Sequence, residues 1–163
     1  MATATMYQSN SGTYTISCTY ANMVTGAARC STAVDASGGR YLDALLMVSA
    51  DLQTGAVTGN DNAVYIYLYG KLAGALSYTD NASGADAAIT LRDPNNFVGP
   101  FAISFATATG NPIALGGPWS VANAFGGRMP SEWGVVVYNK TNSLFGTAVN
   151  NQITYMKIWN VAE

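Results

Sequence analysis

Residues 63–70 read Ala63-Val64-Tyr65-Ile66-Tyr67-Leu68-Tyr69-Gly70. In an extended chain, successive side chains point to opposite faces. Val64, Ile66 and Leu68 therefore share one side of this segment, and Tyr65, Tyr67 and Tyr69 share the other. A period of two sustained over the whole stretch predicts a β-strand. Both sides are bulky, so the strand is expected to pack on both faces. Nothing of comparable length shows a helical period; the best helical candidate is a brief turn near residues 120–125.

The segments on either side repeat the pattern. From Arg40, the residues Leu42, Ala44, Leu46, Val48, Ala50 and Leu52 are predicted to share the inner face of a long strand. Upstream, Tyr14, Ile16, Cys18 and Tyr20 alternate with Thr15, Ser17 and Thr19, a one-sided strand pattern. Downstream, 88–91, Phe101-Ala102-Ile103-Ser104-Phe105, 133–138 and 153–161 predict further strands. In the last, Tyr155, Lys157 and Trp159 take one face and Met156 and Ile158 the other. Breaks rich in Gly, Pro and Asn separate these runs, among them 59–62, 93–96, 116–118 and 126–127. About eight strands so punctuated predict an all-β protein, an antiparallel sandwich or barrel. Residues 1–13 are small and polar and read as an exposed arm. The expected organisation is an N-terminal arm or extension over 1–38 and one β-sandwich domain over 39–163. The Tyr14–Tyr20 segment is either the first strand of that sandwich or a strand reaching onto a neighbouring subunit.

A chain of 163 residues suits one domain burying roughly 70% of its unfolded surface, without a disulfide or metal. Only 10% of the residues are charged, against about 25% in an average domain. The surface must be built from Thr, Ser, Asn, Gly and Ala. Covering such a surface costs little side-chain entropy and little ion hydration. The same sparseness protects a lone monomer weakly against association. Both effects favour life in an assembly. Net charge is −2 and the seven basic residues are scattered, so nucleic acid is not an expected partner. The apolar runs, Ala44 to Val48 among them, are too short to span a bilayer, so no membrane partner is expected. The first residues lack the features of a signal peptide, and synthesis in the cytosol is expected. Cys18 and Cys30 then read as reduced thiols, with a disulfide between them left open.

Few side chains here are equipped for catalysis. The chain has no histidine, which removes the commonest general base and the usual Ser and Cys triads. Glu132, in Pro130-Ser131-Glu132-Trp133, is the one Glu outside the C-terminus and is better read as a solvated residue opening a strand than as a glycosidase acid. Most Asp residues stand beside Gly or Asn, where turn formation explains them; Asp43 and Asp51 sit inside the strand pattern. The oxygen-rich loop Asp80-Asn81-Ala82-Ser83-Gly84-Ala85-Asp86 lacks the spacing of an EF-hand. No enzymatic activity, cofactor or metal is expected. Aromatic residues are the remaining signal. Tyr65, Tyr67, Tyr69, Trp119, Trp133 and Trp159 can form a sugar-stacking platform, but core or subunit interface is the favoured reading. These six are the candidate interface residues.

Two stretches carry a resemblance. One is Gly39-Arg40-Tyr41-Leu42-Asp43-Ala44-Leu45-Leu46-Met47-Val48-Ser49-Ala50-Asp51-Leu52. The other is Gly117-Pro118-Trp119-Ser120-Val121 followed by Gly126-Gly127-Arg128-Met129-Pro130-Ser131-Glu132-Trp133-Gly134-Val135-Val136-Val137-Tyr138-Asn139-Lys140-Thr141. They resemble small all-β virion proteins of tailed bacteriophages, of the structural, decoration or cement kind. The similarity spans about residues 39–160. It implies a jelly-roll-like sandwich with no enzymatic role. It further implies a place on the outer capsid surface, where the chain clamps neighbouring major capsid subunits as a dimer or trimer after assembly in the host cytoplasm. A receptor- or carbohydrate-binding module of a phage tail has the same fold and the same poverty of catalytic groups, and is the alternative.

Overall fold

A computed structural model of the chain describes residues 6–7, 12–38, 41–53, 63–92, 97–104 and 112–160. Among them lie eleven strands: β1 (Met6–Tyr7), β2 (Tyr14–Ile16), β3 (Ala28–Cys30), β4 (Val34–Asp35), β5 (Tyr41–Asp51), β6 (Ala63–Lys71), β7 (Ala87–Ile89), β8 (Val98–Ser104), β9 (Ile113–Ser120), β10 (Glu132–Asn139) and β11 (Gln152–Asn160). One short helix, α1 (Val121–Ala124), falls where the brief helical turn was expected. Its cap is built from side chains. Ser120 Oγ accepts from Asn123 N at 2.9 Å. Asp43, one of the two strand-internal acids, accepts from Ser120 Oγ at 2.7 Å and from Ala122 N at 2.8 Å.

The strands form two antiparallel sheets. In the first, β11 lies between β5 and the short pair β1 and β2, and β9 flanks β5. In the second, the order is β7-β3-β10-β6-β8, with β4 also on β10. With β1, β4 and β7 set aside as marginal additions, eight strands remain. The first sheet arranges them first-eighth-third-sixth in chain order, and the second arranges them second-seventh-fourth-fifth. Every connection between them crosses from sheet to sheet except that from β6 to β8. Two Greek keys wrapped in this way make a jelly roll.

The division expected at 38/39 is not a structural one for residues 14–35. β2, β3 and β4 belong to the two sheets, and Ile16, Tyr20 and Cys30 are buried. Tyr14–Tyr20 therefore contributes a strand of the chain's own sandwich. Small-residue composition hid this, because pairing with β11 and β10 supplies what local propensity does not. Of the expected arm, residues 1–5 and 8–11 lie outside the described residues, and Met6–Tyr7 pairs with the end of β11.

Between the sheets lies the main core. Ala44, Leu46, Val48, Ala50 and Leu52 face Val64, Ile66, Leu68, Trp133, Val135 and Val137, with Tyr20, Phe145, Ile153 and Tyr155 closing it. Leu42 departs from expectation. It is 49% exposed while its neighbour Tyr41 is buried. The β5–β11 register shifts there, with Ile158 opposite Asp43 and Trp159 opposite Tyr41. A bulge of one residue exchanges the two faces. Two further irregularities fall on the outermost strands. β8 shifts register against β6 around Gly99-Pro100, and β9 shifts against β5 around Gly117-Pro118. Gly117 has φ +108 and abuts the Leu46 carbonyl, so only glycine fits there.

Candidate interaction surfaces

The tyrosine strand β6 sits in the middle of the second sheet, between β10 and β8. Its aliphatic side faces the main core, so the tyrosines point to the sheet's outer side. Residues 72–92 and Phe97 fold back over part of that side and bury a second apolar cluster of Ala28, Cys30, Tyr69, Ala82, Phe97 and Val136. Tyr69 belongs to this cluster and is fully buried. Its ring lies over Gly134, the residue directly opposite on β10. Its hydroxyl donates to Ser31 O at 2.7 Å, and Tyr78 meets it edge-on. Burial pushes the Tyr69 hydroxyl's pKa well up. Of the two readings that the sequence favoured for this candidate interface residue, core or interface, Tyr69 takes the core one in this chain.

Tyr65 and Tyr67 are half-buried. Tyr65 stacks on Tyr138 with ring centroids 6.3 Å apart, and Lys140 Nζ lies 5.9 Å from the Tyr65 ring. Tyr67 tilts against Phe97 at 6.2 Å. Together Tyr65, Tyr67 and Tyr138 form an aromatic stripe along the outer side of the second sheet.

The tryptophans divide. Trp133, also a candidate interface residue, is wholly buried in the main core, edge-on to Tyr155 at 5.4 Å, and so takes the core reading too. Trp119 is half-buried and stacks on Phe101 at 5.0 Å and 26°. This pair joins β9 of one sheet to β8 of the other along the open side of the sandwich. The backbone of Trp159 pairs with Tyr41 and Tyr7; its side chain lies outside the described residues.

Glu132 begins β10. It forms an ion pair with Lys71 Nζ at 2.7 Å and accepts a hydrogen bond from the Tyr78 hydroxyl. Lys71, then Tyr78, hold its carboxyl below the ordinary range. Across the strands stands Asp35, also lowered by hydrogen bonds from Ser37. Glycoside hydrolysis needs one carboxyl kept protonated by a raised pKa, and both of these are shifted the other way. Beside Lys71 opens a cleft of about 800 Å³ at one end of the sandwich, lined in part by Tyr41, Leu72, Phe125, Arg128 and Met129. The expected sequence signals did not include it, because it assembles from four separate segments.

In the 80–86 loop, Asp86 is committed to structure. It accepts from the backbone N–H of Thr19 at 2.9 Å and pairs with Arg29. Burial alone raises its carboxyl, but Thr19 and Arg29 together bring it below the ordinary range. Among the described residues, no three His, Cys, Asp or Glu side chains gather as metal ligands do. Cys18 and Cys30 are unpaired thiols. Burial raises both, Cys30 to about 11, so they are protonated and unreactive at neutral pH. The basic side chains are dispersed: Lys157 covers the rings of Tyr14 and Tyr41, while Arg29, Lys71 and Lys140 have the partners given above. Among the described residues, no helix is long and apolar enough to cross a membrane. Comparison with protein-family models, with curated proteins and with solved structures finds no match for this chain.

Proposed function

We propose that this chain is a structural virion protein of a tailed bacteriophage, one that decorates the outer capsid surface and cements neighbouring major capsid subunits without enzymatic activity. The observation that carries this reading is the aromatic stripe of Tyr65, Tyr67 and Tyr138 on the outer side of a jelly-roll sheet. Tyrosine rings give large contact area for two rotatable bonds, and the hydroxyl finds a partner at a wet interface. The low charge of the chain keeps the cost of covering that face small. A ligand that binds only the assembled lattice stabilises it by mass action, and many copies multiply a modest affinity per site.

The test is co-sedimentation of the purified chain with capsids of the phage that encodes it. Wild type is expected to pellet with capsids, and Tyr65→Ala with Tyr138→Ala is expected to weaken attachment by about tenfold or more. Absence of the chain from the capsid pellet at saturating concentration overturns the reading. Quantitative mass spectrometry of purified virions then places it: hundreds of copies mean head, a handful mean tail.

The end cleft favours a second reading, a receptor- or carbohydrate-binding module of a phage tail. Tyr41 and Phe125 offer apolar surface, and Arg128 stands exposed at the rim. A glycan array separates the two: specific sugar binding lost in Phe125→Ala and Arg128→Ala supports the tail module.

A further inference from the structure

The outer side of the first sheet differs in kind from the tyrosine stripe. Alternation along β5 and β11 turns Leu45, Met47, Met156 and Ile158 away from the core, together with Ser49, Gln152 and Thr154. β9 adds Ile113 and Leu115, which are 54% and 62% exposed, and the turn before β11 adds Val149 at 76%. No lysine or arginine stands on this side among the described residues; Lys157 lies on the opposite side of β11, over tyrosine rings. Its two carboxylates are withdrawn, Asp43 into the α1 cap and Asp51 beneath Asn150, which donates to it at 2.9 Å. What remains is an uncharged face of aliphatic side chains with the neutral polar Ser49, Gln152 and Thr154 among them.

We infer that this face is where a second copy of the same chain docks, sheet against sheet, about a two-fold axis. Three features select that occupant. First, the face carries no charge with which a foreign partner would set register, and two identical uncharged faces meet without like-charge repulsion or a buried ion. Second, the patch is self-complementary. Ile113 and Leu115 on one side and Val149 on the other flank a trough of about 390 Å³ floored by Met47, Ser49, Gln152 and Thr154. A two-fold operation seats the ridge of each copy in the trough of the other, the reciprocity an isologous interface requires. Third, the size is sufficient. β5, β9 and β11 have 11, 8 and 9 residues, and β1 and β2 add two and three; at ~3.3 Å per residue and ~4.8 Å between strands they give a face of roughly 520 Å². A pair therefore covers roughly 1,050 Å², at the ~1,000 Å² expected of a specific interface. Two sheets packed in this way lie ~10 Å apart and within ~30° of alignment, so the dimer has four layers. The inference is independent of the capsid reading, since it needs no partner but the chain itself.

The experiment is sedimentation velocity of the full chain at micromolar concentration, alone in solution. Wild type is expected to sediment as a dimer of 17.0 kDa chains. Leu115→Lys and, separately, Val149→Lys are expected to give monomers with unchanged far-ultraviolet circular dichroism. Both positions are exposed enough to accept lysine without unfolding. Leu76→Lys, at a fully exposed leucine on another part of the surface, is expected to leave the dimer intact. A wild-type monomer overturns the inference. So does a dimer that survives both lysine substitutions, or one dissociated by Tyr65→Lys but not by Leu115→Lys, which assigns the contact to the second sheet.

Discussion

Asn139 ends β10 and is wholly buried, yet it is polar. Its Nδ2 donates to Met23 O at 2.9 Å and to Ser143 O at 2.8 Å. Its Oδ1 accepts from Thr141 N at 3.0 Å and Thr141 Oγ1 at 2.6 Å. One amide thus ties the 140–151 connection to both its own strand and the residue-23 turn. Asn139→Ala leaves Thr141 N without its acceptor and removes one of two donors from Met23 O, which keeps Phe145 N, and from Ser143 O, which keeps Thr141 Oγ1, at about 2 kcal/mol. The expected result is a lower urea midpoint with an unchanged m-value. The sequence marks Asn139 only as the start of a turn, because three of its four bonds depend on how residues 141–143 fold and the fourth on a segment more than a hundred residues away. Asp43 is a similar case: a carboxylate inside a strand pattern looks anomalous until the helix it caps is in place.

Strand existence was far more legible than strand environment. The period of two in β5, β6 and β11 is local, so it survives in the sequence. Which side is covered is not local. Tyr69 and Tyr65 share a side of β6, but of the two only Tyr69 is roofed by the segment that carries Tyr78 and Ala82. Trp133 sits in an alternating apolar run, and nothing within that run says that its side is the inter-sheet one. Leu42 shares the period of Ala44 and Leu46, and the bulge that turns it outward is a property of the β5–β11 pairing. The β6–β10 pair shows how tightly such elements are fitted. Gly134 has no side chain, and the Tyr69 ring occupies the space a Cβ would need. Gly134→Ala is expected to displace the ring, break its bond to Ser31 O and cost about 2 kcal/mol. In a Tyr69→Ala background the same substitution should cost much less, and a double-mutant cycle on chemical denaturation measures that coupling. Equal costs in both backgrounds would mean the ring and the glycine are not coupled.

Taken together, the buried tyrosines make the fold sensitive to alkali. Burial raises Tyr20, Tyr41 and Tyr69, and burial with the Glu132 hydrogen bond raises Tyr78 to about 12; Tyr155, buried near other tyrosines, also reaches about 12. A raised phenol pKa means the folded state holds the proton more tightly than the unfolded chain does. The associated stability is complete below the unfolded value of 10.0 and drains away as pH climbs through the folded values. Melting temperature is therefore expected to fall steeply above pH 10, with tyrosinate absorbance appearing together with loss of the strand signal in circular dichroism. Ionisation of these phenols in an intact fold would contradict the burial described. At the acid end the sign reverses: Asp86 and Glu132, both lowered, lose their contribution as pH falls through their folded values.

The Gly-Pro irregularities in β8 and β9 have a consequence for how copies can join. A bare strand margin is a template on which another chain can crystallise as an added strand, the first step toward fibrils. Proline withholds the N–H that such growth needs, and the shifted register bends the margin out of line. At the β8 and β9 margins, one on each sheet, lateral zippering is therefore opposed even where many copies crowd together. Along that flank, association is steered to the broad sides of the sheets, away from growth by added strands.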